Sequence, residues 1–189
     1  IVSFKLIKII MKKQKLELRM YFLVMYNISP IQQGIQALHA VVEYFLKHWK
    51  DKEFWRWAKT HKTVIILNGG TSNKGHQLEY GEPKQLGSME QHFQTLKDNK
   101  IKCASFYEPD LNHSMSAIAF LVDERVFNKE EYPDFQFGKS KLDIFSMKVT
   151  GDLKTDLSTE EQRQKRDFIK KVGKDVAFLK DFLKQFKFA

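Results

Sequence analysis

Residues 20–123 predict an α/β domain, and three observations carry that reading. Apolar or β-branched runs of strand length occur at 21–26, 63–67, 102–107 and 115–122. Two of the intervals between them hold an amphipathic stretch opened by a helix-capping signal. The chain of 189 residues is 42% hydrophobic and 13% aromatic, enough to bury a core.

The elements follow in chain order. Residues 1–19 read as an N-terminal extension, with Met11 and Met20 as candidate starts. The run 21–26 is apolar and aromatic, as a buried strand requires. Ser29-Pro30-Ile31-Gln32 supplies an N-cap, a proline at the first helical position and a capping-box glutamine, and so predicts a helix over 30–49. Ile31, Ile35, Leu38, Val42, Phe45 and Trp49 repeat along it at helical spacing and are expected to form its buried face. A short helix carrying Trp55 and Trp57 is expected at 51–60, its tryptophans serving as core or dimer contacts.

The β-branched run 63–67 predicts a second strand, ended by the loop signal Asn68-Gly69-Gly70-Thr71-Ser72-Asn73. Residues 74–87 predict an irregular excursion or a small hairpin. Ser88-Met89-Glu90-Gln91 repeats the capping-box spacing and opens a helix to Asn99. Strands at 102–107 and 115–122 flank a turn made by Glu108-Pro109-Asp110-Leu111-Asn112-His113. Residues 124–189 read as an aromatic-rich irregular segment to 150, then one uninterrupted amphipathic helix capped by Ser158. Its apolar stripe is Phe168, Val172, Val176, Leu179, Leu183 and Phe186.

Charge and cysteine usage exclude several classes. The net charge of +9 divides into +5 over 1–20, −1 over 21–138 and +5 over 139–189. The central domain is therefore not a basic surface, and attraction to phosphate must come from the flanks or a local patch. The single cysteine, Cys103, excludes an intramolecular disulfide and fits a reducing, cytoplasmic setting. The longest apolar runs are too short to span a membrane. No histidine or cysteine spacing suits a metal, and no phosphate-loop or dinucleotide glycine pattern occurs, so no metal and no cofactor is expected.

Candidate chemistry gathers where strands end. Asn27, Asn68 and Glu108 follow three strands, and the carboxyl ends of parallel strands share the edge where ligands bind. The helix over 30–49 starts from that edge, so its first amides are expected to face the same space. Along it Gln32, Gln36, His39 and Glu43 recur within about 60° of one another, a narrow polar stripe beside the apolar one. One carboxylate, one imidazole and several amides would then line a cleft. Each also has a plainer reading: Gln32 as capping partner, His39 as a half-buried ring, Glu108, Asp110 and Asn112 as turn residues, Asn68-Gly69-Gly70-Thr71 as a tight loop.

The run Asn27-Ile28-Ser29-Pro30-x-Gln32-Gln33-x-x-Gln36-Ala37-x-His39-Ala40 resembles the D-L-S-x-G-Q-x-x-x-Q-A-x-H-A signature of the type II peptidyl-tRNA hydrolase family, nearest its bacterial and phage branch. Glu108-Pro109-Asp110-Leu111 followed by Ser116-Ala117-Ile118-Ala119 resembles that branch's E-P-D-L…T-A-I-A segment. The likeness covers about residues 20–123. It implies a mixed four-stranded sheet flanked by helices, often homodimeric, that hydrolyses the ester joining a peptide to tRNA without a metal. Carried over, His39 and Gln36 match the signature's His and Gln, Glu108 lies where the family places an acidic residue, and Ser116 stands where its Thr is usual. With the strand-end reading, Glu108, His39 and Ser116 are the candidate catalytic residues, and Asn27, Gln32, Gln36, Asn68, Gly69, Gly70, Thr71 and Asn112 the candidate substrate-binding ones. Asn27 replaces the family's aspartate, Ile31 its glycine, and the lysine early in the first helix is absent. Three functions follow as expectations: an ester hydrolase acting on tRNA, a non-catalytic module binding RNA, a nucleotide or protein, and a structural protein whose terminal helix builds a dimer or docks a partner.

Overall fold

The computed structural model describes residues 15–73, 86–136 and 153–189. The readings for 1–14, 74–85 and 137–152 lie outside the described residues. Four strands form one mixed open sheet: β1 (Leu18–Met25), β2 (Thr63–Gly70), β3 (Cys103–Glu108) and β4 (Ser114–Asp123), in the order β2-β1-β4-β3. β1 and β2 are parallel, and β4 is antiparallel to both β1 and β3. β3 therefore runs parallel to β1 and β2, and the carboxyl ends of all three share one edge.

Strand alternation sends the sheet's side chains into two layers. Leu18, Met20, Phe22 and Val24 of β1 join Ala104, Ala117 and Ala119 under helix α1 (Pro30–His48). Tyr21, Leu23 and Met25 join Ile118, Phe120 and Val122 on the opposite face, under α3 (Ser88–Asp98) and the C-terminal helices. Between α1 and β2 the chain forms α2 (Lys52–Arg56) and a π-helical turn (Trp57–His61), which bury Phe54 and Trp57 while Trp49 and Trp55 stay exposed.

The capping box of α1 forms: Gln32 N donates to Ser29 Oγ and Ser29 N to Gln32 Oε1 at 2.9 Å. The expected buried face does not. Ile31, Ile35, Leu38, Val42 and Trp49 are exposed, Phe45 is half-buried, and the helix packs through Gln33, Gln36, Ala37, Ala40 and Tyr44, about half a turn away around its axis. Small residues on both sides explain the choice. Ala37 and Ala40 meet Ala104, Ala117 and Ala119 at close approach, and both buried glutamines find hydrogen-bond partners.

Other elements differ from expectation for local reasons. Asn68, Gly69 and Gly70 belong to β2 rather than to a loop, with Gly69 as a bulge between the Val24–Asn68 and Met25–Gly70 pairs. Ser88 is not a cap: Gly87 occupies that position, while Ser88 Oγ donates to the carbonyl of Gly69 and accepts from Thr71 N at 2.8 Å. The terminal helix is two, α5 (Leu153–Val172) and α6 (Lys174–Phe182), so Ser158 lies inside α5. Gly173, at φ 101°, takes a backbone conformation that other residues rarely adopt and breaks the run between them. A four-residue helix α4 (Glu124–Phe127) follows β4.

Val176, Leu179 and Phe182 of α6 are integral to the core. After α6 the chain adds a short antiparallel pairing to the free edge of β2: Asn68 N donates to Lys187 O and Ala189 N to Ile66 O. No described helix is long and apolar enough to cross a membrane.

Candidate functional site

The polar centre of the molecule is a hydrogen-bonded chain across three elements. Ser116 Oγ donates to Gln36 Oε1 at 2.6 Å, and Gln36 Nε2 donates to Glu108 Oε2 at 2.6 Å. Ser116 and Gln36 are buried, and Glu108 is half-buried. Its second oxygen accepts a long 3.4 Å bond from Asp110 N, which caps the 3-10 turn Pro109–Leu111.

A backbone irregularity places Ser116 here. Strict alternation along β4 would turn it to the face shared by Ile118 and Phe120. Pairing slips between Phe106–Ala117 and Tyr107–Met115, leaving Ser116 as the unpaired residue of a β-bulge. Met115 stays in the α3 layer and Ala117 in the α1 layer, so the extra residue re-aims Ser116 at α1.

The remaining candidates sort by position. His39 is exposed, its ring stacked on Phe106 at 4.5 Å between centroids and 22° between planes. Phe106 lies two residues before Glu108 on the same strand face, so imidazole and carboxylate lie on the same side of the sheet without a hydrogen bond between them. Asn27 is exposed in the turn after β1. Gln32 lies on the surface as the capping partner of Ser29.

Two of the first-turn amides of α1 are already used. Gln32 N and Gln33 N both bond to Ser29, and Pro30 has no N–H. Asn112, at φ 51°, and His113, at φ 52°, form the left-handed turn that returns the chain into β4.

Asn68, Gly69, Gly70 and Thr71 do not join this group. The first three belong to the opposite edge strand and Thr71 follows it, three strand positions from β3, or about 14 Å. Their donors are spent internally: Asn68 N on Lys187 O, Gly70 N on Asn68 Oδ1 at 2.9 Å, Thr71 N on Ser88 Oγ. Asn68, Gly69 and Gly70 line a separate cavity of about 280 Å3 with His92 and Phe186. A larger cavity of about 760 Å3, lined by Tyr44, Asp51, Lys102 and Arg125 among others, contains none of Gln36, Glu108 and Ser116.

Gln33 and Phe106 also form part of the site, although Gln33 stands where the signature leaves the residue open and Phe106 lies in no motif. Gln33 Nε2 donates to the Met25 carbonyl at 3.1 Å and ties α1 to the end of β1. Phe106 supplies the surface under His39. Both would have been visible only with the α1 register known, because periodicity assigned the buried face to the isoleucine side.

Titration narrows the chemistry. Burial pushes the Cys103 thiol up to about 11, so it stays protonated and is no nucleophile. No group of three potential metal ligands occurs among the described residues. Among them no Lys or Arg pairs with Glu108. The arrangement offers a carboxylate oriented by a buried amide beside an aromatic and imidazole rim. Compared with protein-family models and with curated proteins, the chain matches no family model and no curated protein.

Proposed function

We propose that the chain is a type II peptidyl-tRNA hydrolase-like protein acting on the ester of a tRNA-linked peptide or amino acid. One observation supports this above the rest. The two sequence segments that carry the family resemblance, 72 and 80 residues apart at their contacts, meet in the Ser116–Gln36–Glu108 chain.

In this reading Ser116 holds the Gln36 amide in one orientation, and the bond it donates polarises that amide. Gln36 Nε2 then fixes one oxygen of Glu108, leaving the other to take a proton from water. The water oxygen bonds to the ester carbonyl carbon. The bond from that carbon to the ribose oxygen breaks, and the proton returns from Glu108 to the departing hydroxyl. His39 and Phe106 form the rim against which the terminal nucleotide or acyl group rests.

Incubation with a peptidyl-tRNA tests this. Hydrolysis is expected, reduced about 10²- to 10⁴-fold in Glu108→Gln, with the fold unchanged by circular dichroism. Absence of hydrolysis above background, or full activity in Glu108→Gln, removes the proposal.

That no Lys or Arg among the described residues pairs with Glu108, and that Ser29 already takes two amides of the first turn of α1, favour a second reading, in which the same site binds RNA, a nucleotide or a protein without turnover. Because α6 is part of the core, that reading is tested by charge rather than by truncation. Replacing Lys165, Arg166, Lys170 and Lys171 by glutamine would flatten the salt dependence of RNA binding.

A further inference from the structure

The end of the sheet away from Glu108 holds the cavity of about 760 Å3, within the ~300–1,000 Å3 range of small-molecule sites. It lies where β3 stops short. The first residue of β3, Cys103, pairs with Phe120, whereas β4 stays paired with β1 as far as Asp123–Leu18. The outer edge of β4 from Leu121 to Asp123 therefore has no strand beside it. Glu108 is at the other end of β3, about 20 Å away along the strand.

The described residues lining this cavity select the class of ligand. Leu18, Leu121, Val126, Val176 and Leu179 give it aliphatic walls, all but Leu121 buried. The remaining lining is mostly charged. Three cations are committed: Lys102 to Asp51 at 2.9 Å, Arg125 to Asp123 at 2.6 Å, and Arg56 to Glu53. Lys15, Lys52 and Lys100 are exposed and have no ion pair among the described residues, against one carboxylate in the same state, Asp175. The uncommitted charge is positive and favours an anion. No described Ser, Thr, Asn, Gln or His lines the cavity, and the Tyr44 ring is packed on His48 and Phe54. Such walls suit a hydrocarbon chain, not a base or sugar, which calls for neutral hydrogen-bonding groups and an open aromatic face.

Two features of the lining are unexplained by folding alone. Tyr44 is 1% exposed, yet its hydroxyl makes no hydrogen bond to a described residue. A buried phenol usually has a partner. Burial holds this one above its ordinary 10, so it is a neutral donor. Lys100 is the second feature. Its N–H bonds to Lys97 O and that of Ile101 to Leu96 O, both at 2.9 Å, closing α3 in the motif that usually takes glycine at this position. At φ 60° a lysine there is strained, and it lines the cavity.

We propose that this cavity binds a single-chain aliphatic carboxylate, its chain along the aliphatic walls, one carboxylate oxygen accepting from the Tyr44 hydroxyl, and the uncommitted lysines balancing its charge. The site is separate from the chemistry at Glu108 and does not rest on it.

Titration calorimetry of the full chain with octanoate, decanoate and dodecanoate at low salt tests this. Affinity is expected to rise about fourfold with each methylene added. Tyr44→Phe should weaken dodecanoate binding about tenfold or more without lowering the thermal midpoint, because the hydroxyl has no described partner to lose. Lys100→Gly should weaken it about fivefold while raising the midpoint by about 2–4 °C, since glycine relieves the backbone.

No binding of dodecanoate overturns the proposal. So does unchanged affinity in both variants, or equal binding of dodecyltrimethylammonium, which would mark a site blind to charge. An affinity independent of chain length would mark a plain anion site. Binding to phosphatidylglycerol vesicles without binding of free dodecanoate would mark a membrane contact, and either result overturns it equally.

Discussion

At the scale of single residues, Ser116 and Gly69 show how much two bulges decide. Ser116 has no solvent exposure, and its hydroxyl is the donor to Gln36 Oε1. Ser116→Ala leaves that buried oxygen without its donor and should cost about 1–3 kcal/mol in urea unfolding. If Glu108 works as proposed, the same variant also lowers activity by loosening Gln36. Gly69 is the extra residue of the other bulge. A Cβ there would overlap Met89 Sδ and lie 2.9 Å from Leu23 Cβ, so Gly69→Ala should destabilise by about 1–3 kcal/mol on thermal melting. The sequence marked both positions through their motifs. It could not mark the bulges, because an extra residue in a ladder is defined by the partner strand.

At the scale of elements, α1 was legible in extent and cap but not in orientation. Periodicity reports which face is apolar, not which face is covered, and here the alanine–glutamine side fits the alanine-rich sheet more closely. The segment after β4 holds a second case. Lys180 is 4% exposed, and its ammonium donates to Tyr132 O at 2.6 Å and Asp134 Oδ1 at 3.1 Å, clamping α6 to the chain that follows α4. Burial alone would raise the carboxyl of Asp134, but the Lys180 hydrogen bond and the charges of Lys180, Lys184 and Lys129 hold it below its ordinary 3.8.

A lowered folded value means that this stabilisation is full above 3.8 and is lost as pH falls from there through the lower folded value. Asp134→Ala should cost about 3 kcal/mol near neutral pH, because it leaves the buried ammonium without its carboxylate, and should blunt the acid limb of the stability–pH curve. Denaturant titrations across pH measure both.

At the scale of the whole molecule, the C-terminus completes the sheet. The antiparallel pairing of residues 187–189 covers part of the edge of β2, where Val64 is half-exposed and an open ladder would recruit other chains. Removing 187–189 strips two backbone hydrogen bonds from that edge. It should cost about 1–2 kcal/mol and lower the concentration at which light scattering reports aggregation. Loss of α6 is a different matter, since Val176, Leu179 and Phe182 share one core with Tyr21, Leu23 and Phe120.

By itself the sequence determined what depends on local chemistry. Strand-length apolar runs, the Ser29–Gln32 cap and the Glu108–Pro109 turn are set by residues within a few positions of one another, and each forms where its pattern lies. It also supplied the residues of the candidate site, since Gln36, Glu108 and Ser116 belong to recognisable segments. Only tertiary structure decided that these three bond in series, that Asn68–Thr71 stand on the far edge, and that α1 turns its isoleucines outward. Those outcomes rest on strand order, bulges and close packing between segments distant in sequence. Such choices are made by contact, and no periodicity within a single segment encodes them.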